Sequence, residues 1–113
     1  NNYPIIWLGP NPEPNIDFKT DIKVIQDILI NKNKLKKLEN KNIYNVDKFL
    51  EKLLRESKII YLSKIYLLNF NITKDFYLNE KFTYSDTNHW SAYGEKIFGK
   101  RMFSNSTILK NLN

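Results

Sequence analysis

Tyr84-Ser85-Asp86-Thr87-Asn88-His89-Trp90-Ser91-Ala92-Tyr93-Gly94 contains the sole histidine of a 113-residue chain. An aspartate lies three residues before it, and Ser91 followed by Glu95 marks the start of a helix just beyond it. Histidine is the natural general base at neutral pH, because its ordinary pKa lies near the working pH. It works best with a carboxylate on one ring nitrogen, which fixes the tautomer and stabilises the imidazolium that forms. One short turn can bring Asp86 and His89 to a single point, so they are the candidate orienter and base for a serine placed elsewhere. The competing reading is structural, since a histidine beside an aspartate is commonly a surface residue or part of a helix cap.

Asp86, His89, Trp90, Ser91 and Gly94 spell D-x-x-H, an apolar residue, Ser, two further residues and Gly. This pattern resembles the last block of the SGNH (GDSL) hydrolase superfamily, where the Asp and His complete a Ser-His-Asp triad. Its nearest form is that of the SGNH domains fused to large bacterial membrane acyltransferases, which read D-x-x-H-L-S-x-x-G. Trp90 stands in place of that Leu and keeps an apolar side chain. The resemblance implies an α/β fold, a partial flavodoxin-like three-layer αβα domain. Residues 1–113 would be its carboxyl-terminal portion, the last strands of a parallel sheet with flanking helices.

The serines of the chain are Ser57, Ser63, Ser85, Ser91, Ser104 and Ser106, and none sits in a Gly-Asp-Ser turn between a strand and a helix. In the resembled family the nucleophile opens the domain. The expectation is therefore that the nucleophile-bearing amino-terminal portion is absent here, leaving the isolated chain nearly inert. The resemblance implies a fragment of a serine esterase or O-acyltransferase. Such an enzyme transfers or removes an acyl group, acetyl foremost, on a cell-surface carbohydrate. The implied partners are the acylated carbohydrate, the rest of the SGNH domain and a membrane acyltransferase domain. The implied location is the periplasmic or cell-surface side of the bacterial inner membrane. The alternative is a catalytically inactive SGNH-like carbohydrate-binding or interaction module.

Composition narrows the remaining classes. At 113 residues and 42% hydrophobic content, the chain suits one domain with a modest core and is not compositionally disordered. No apolar run approaches the roughly 20 residues needed to span a bilayer. The absence of cysteine removes disulfides, thiolate metal sites and cysteine nucleophiles, and one histidine argues against a transition-metal site. No cofactor is implied. The net charge of +6 comes almost wholly from lysine, with Arg55 and Arg101 the only arginines. Arginine is the preferred residue for bidentate phosphate and base recognition, so the balance argues against nucleic acid as a partner.

Upstream, residues 3–9 form a short apolar run that reads as a buried strand of a parallel sheet. Pro10, Pro12 and Pro14 then define a stiff loop leaving its carboxyl end, where ligand sites gather in open α/β sheets. Gly9-Pro10-Asn11 admits two readings by resemblance: a G-x-N oxyanion block, or the strand that follows such a block, with the oxyanion Asn further upstream. Residues 17–30 read as an amphipathic helix, 31–42 as a weak helix or a loop, and 46–56 as a helix capped by Asn45. Its packing face would be Val46, Phe49, Leu50, Leu53 and Leu54. Residues 59–62 read as a second buried strand, 65–70 as an extension, a strand or a short helix, and 76–78 as a short edge pairing. In the last helix Ala92, Ile97, Phe98 and Met102 supply packing, and Gly94 and Gly99 permit close backbone approach. Trp90 and Tyr93 either brace a pocket or pack in the core. Beyond Phe103 the tail is expected to fray.

Overall fold

Two isoleucine-led runs, Ile5–Leu8 (β1) and Ile59–Leu62 (β2), pair in parallel with Ile5 opposite Ile59 and Leu8 opposite Leu62. The Gly9 amide extends the ladder to the Leu62 carbonyl at 2.8 Å. Parallel strands need a long crossover. It is supplied by α1 (Ile22–Ile30), a 3-10 helix (Lys32–Leu38) and α2 (Asn42–Leu54). After β2 come α3 (Lys64–Leu68), α4 (Ile72–Asp75) and a hairpin of β3 (Tyr77–Leu78) and β4 (Lys81–Phe82). The chain then closes with α5 (Ala92–Asn105) and α6 (Thr107–Lys110). This computed structural model describes residues 3–17 and 21–112, so the part of the first expected helix at 18–20 lies outside the described residues. The chain is mixed α/β with a two-stranded parallel sheet. No described helix is long and apolar enough to cross a membrane.

The parallel pairing follows the expectation, but the burial of the first strand does not. Ile5 is 62% exposed and Trp7 46%, because β2 is the only strand beside β1 among the described residues. Helix α2 departs similarly. It starts at Asn42, whose amide is held by the Asn40 side chain at 3.1 Å, so Asn45 lies inside the helix and caps nothing. Of its expected packing face, Val46, Phe49 and Leu53 stay exposed. The buried residue is Asp47, whose carboxylate accepts the Tyr61 hydroxyl at 2.7 Å and the Ser63 hydroxyl at 2.6 Å. Two hydroxyls offset the cost of burying the carboxylate and tie α2 to the end of β2. The radius of gyration is 15.6 Å, above the roughly 13 Å of a compact domain this long.

The well-filled core lies elsewhere. Tyr84, Phe76, Phe98 and Leu68 are buried together with Ile16, Ile28 and Leu35. The ring centroids of Phe76 and Phe70 lie 5.9 and 6.1 Å from that of Tyr84, and Trp90 lies 5.0 Å from Phe98. The proline loop belongs to this core. Pro12 and Pro14 are fully buried, and Pro14 bridges Glu39 at the end of the 3-10 helix. That helix is the form taken by the segment read as weak helix or loop, with Leu35 as its buried anchor.

Two expectations near the carboxyl terminus are corrected. The tail does not simply fray: the Ser106 hydroxyl accepts the Leu109 amide at 3.2 Å, α6 forms, and Leu109 is buried. Gly94 and Gly99 also part company. A Cβ on Gly94 would lie 2.0 Å from the Thr83 carbonyl oxygen, so close approach is required there; one on Gly99 would meet nothing within 4 Å.

Candidate active site

The turn that carries the histidine is pinned at both feet. The Ser91 amide donates to the Thr83 carbonyl at 2.8 Å, and Tyr84 and Trp90 form an antiparallel bridge. Ser91 also donates its hydroxyl to the Phe82 carbonyl at 2.7 Å and accepts the Gly94 amide at 3.0 Å, capping α5 as its position implied. Tyr84 reaches across the core and donates its hydroxyl to the Pro12 carbonyl. Burial raises the pKa of that hydroxyl, so it stays a neutral donor. The Trp90 indole lies near enough to pull the other way, yet its N–H makes no hydrogen bond of normal geometry.

Between these feet, residues 85–89 loop outward with Asp86 as their organiser. One Asp86 oxygen accepts the Asn88 amide at 3.0 Å and the His89 amide at 2.8 Å. This is the local turn that aspartate makes with the backbone ahead of it. The two carboxylate oxygens lie 3.0 and 2.9 Å from His89 Nδ1. The Asn88 amide, then the amide and ring of His89, hold the Asp86 carboxyl below its ordinary value, with desolvation opposing them. Its contribution to stability is therefore present above the ordinary carboxylate pKa and lost as pH falls through the lowered value. Beside a charged Asp86, the neutral imidazole carries its proton on Nδ1 and leaves Nε2 as the acceptor. That is the tautomer a general base needs.

The pair sits on the surface, the His89 side chain 72% exposed and that of Asp86 53%. No serine among the described residues hydrogen-bonds the imidazole ring. Ser85 donates to the His89 and Trp90 carbonyls, Ser57 to the Leu54 carbonyl, and Ser63 to Asp47. Ser91 and Ser106 cap helices, and Ser104 is exposed on α5. Cavities of about 620 and 490 Å³ lie around Tyr44, Ile65 and Tyr66, away from the pair.

No family model matches this chain, and no curated protein or solved structure is similar enough to count as a match.

Other side chains do come to the turn from far along the chain. Asn11, on the loop after β1, donates its side-chain amide to the Asn88 carbonyl at 3.4 Å. Its oxygen accepts the Lys64 ammonium at 2.9 Å, and that ammonium stands 5.4 Å above the centre of the Trp90 ring. Trp90 thus packs on Phe98 with one side and meets a cation with another. Tyr93 instead accepts from Asn79 at 2.9 Å and lies under Lys81. Sequence reasoning reached Asn11 through its glycine-proline context and passed over Lys64. The available signal was its place two residues after a strand's carboxyl end.

Proposed function

We propose that Asp86 and His89 are the orienter and general base of an SGNH-type serine esterase or O-acyltransferase acting on an acylated cell-surface carbohydrate. The observation that carries this reading is the Asp86 carboxylate. It binds the backbone of the turn and His89 Nδ1 together, so ring orientation and tautomer are set by one group. The serine is supplied by polypeptide outside these 113 residues. The exposed apolar side chains of β1 and α2 support this, as they suit a sheet layer with further elements against it. The wider expectation of a flavodoxin-like αβα domain with its site at the strand ends belongs to the same proposal.

The chemistry then runs in two halves. As the serine hydroxyl attacks the acyl carbonyl, His89 Nε2 takes its proton, and Asp86 stabilises the imidazolium. The tetrahedral intermediate collapses, the ester C–O bond breaks, and His89 returns the proton to the departing alkoxide. A water or sugar hydroxyl next attacks the acyl-serine, with His89 again accepting the proton and passing it to the serine oxygen. Water gives hydrolysis and a sugar hydroxyl gives transfer.

The test compares His89→Asn with wild type in the full-length protein, using an acetyl ester substrate. The expected fall in kcat/KM is at least about 10³-fold. The 113-residue chain alone should show no turnover above background and no labelling by a serine-directed phosphonate. Labelling of one of its own serines would overturn the placement of the nucleophile. Unchanged activity in His89→Asn would overturn the reading itself. The openness of the pair favours one second reading, a carbohydrate-binding module without chemistry. It predicts sugar binding with no turnover in the full-length protein.

A further inference from the structure

From the surroundings of Lys64, we infer that its ammonium, with Asn11 and Trp90, holds an anionic group of the carbohydrate presented to His89, a carboxylate or a phosphate. The inference rests on the esterase reading for what the subsite serves, and it narrows the substrate to acidic glycans.

Three observations carry it. First, Lys64 is half-buried and none of the described carboxylates pairs with it; the carboxylates of Asp27, Asp86 and Asp75 are engaged by Lys34, His89 and Arg101 instead. A cation withdrawn from water without a counter-charge is costly, and burial lowers the pKa of Lys64 accordingly. A bound anion removes that cost. Second, the ammonium has three donors. One is spent on Asn11 at 2.9 Å, and the Trp90 face lies to one side at 5.4 Å. The remaining donors are left for a ligand. Third, both chain neighbours of His89 border the cluster, Asn88 through its hydrogen bond from Asn11 and Trp90 through its ring. Lys64 follows the carboxyl end of β2, and Asn11 follows that of β1. This is the end of a parallel sheet at which ligands collect.

A purely structural lysine would need only to pack its stem and keep its bond to Asn11. The experiment separates the two. The chain is titrated with trigalacturonate, with neutral galactotriose and with inorganic phosphate. Binding is read from the Trp90 indole and Asn11 side-chain amide signals in nitrogen-15 NMR. Trigalacturonate should give saturable shifts at both, and galactotriose none. Lys64→Met should weaken the acidic sugar at least about tenfold, as expected when a charge-assisted hydrogen bond is lost. Lys64→Arg keeps the charge and should stay within about threefold of wild type. An unchanged amide spectrum away from the site shows that each variant is folded. Phosphate shifting the same signals, with the same dependence on Lys64, assigns the subsite to phosphate as well; silence with phosphate confines it to carboxylates. Equal binding of acidic and neutral sugars, or full affinity in Lys64→Met, overturns the inference. The assay reads binding alone, so its failure leaves the His89 test standing. A failed His89 test likewise leaves an anion site at Lys64.

Discussion

Helices α2 and α5 are nearly equal in length, at 13 and 14 residues, and opposite in what they bury. Helix α5 sinks Phe98 and Met102 into a cluster of aromatic rings and brings Gly94 against the Thr83 carbonyl. Helix α2 buries an aspartate, and leaves Phe49 and Leu53 more than 60% exposed. Hydrophobic periodicity is the stronger in α2, the helix that buries less, because it reports which face is apolar and not whether anything covers that face. The difference teaches that the loop-and-helix half around Tyr84 holds itself together, whereas the layer around β1 and α2 is an apolar surface with one side served.

Substitutions test that contrast, beginning where the effect is largest. Phe98→Ala should cost roughly 3–5 kcal/mol, a large share of the roughly 5–15 kcal/mol that folds a typical domain. The chain should then lose its cooperative thermal transition by circular dichroism; a melt near that of wild type would refute the view that α5 anchors the core. Gly94→Ala forces the Thr83 carbonyl and α5 apart, at about 1–3 kcal/mol or more for overpacking. Its sister Gly99→Ala meets open space and should stabilise by about 0.5–1 kcal/mol. Urea midpoints that moved in the same direction for both would show that the two glycines are not in different settings. The smallest effect belongs to α2. Phe49→Ser and Leu53→Ser should each stay within about 0.5 kcal/mol of wild type in this chain. In a longer protein that covers α2, the same changes should cost about 2–5 kcal/mol. That gap measures whether the face has a partner.

The comparison also marks what the sequence makes legible. Both parallel strands, the short edge hairpin, the Ser91 cap and the pairing of Asp86 with His89 follow from patterns a few residues long, and local rules govern such patterns. The 3-10 segment was open from its lysines alone, because a single anchor, Leu35, decides it through tertiary contact. In the sequence Tyr84 is only the first residue of the histidine-bearing stretch, yet it is a centre of the core. Its partner Pro12 lies 72 residues away, and no local pattern announces such a bond. Lys64 and Asn11 meet across 53 residues for the same reason. The inward-facing Asp47 runs against periodicity outright, since it is the charged position of an otherwise apolar face that the fold chose to bury. Exposure of β1 was equally hidden, for an apolar strand looks the same with one neighbour or two.

The closed turn at residues 84–90 has an entropic consequence. Its ends are fixed by core residues, and between them the Asp86 carboxylate and the bond from the Ser85 amide to the His89 carbonyl order the turn before anything binds. Freezing a free loop of that length would consume roughly 1–2 kcal/mol of backbone entropy per residue. Here that loss falls within folding, so a ligand or an adjoining segment meets an imidazole already in place. Its affinity then has only its own ordering to overcome.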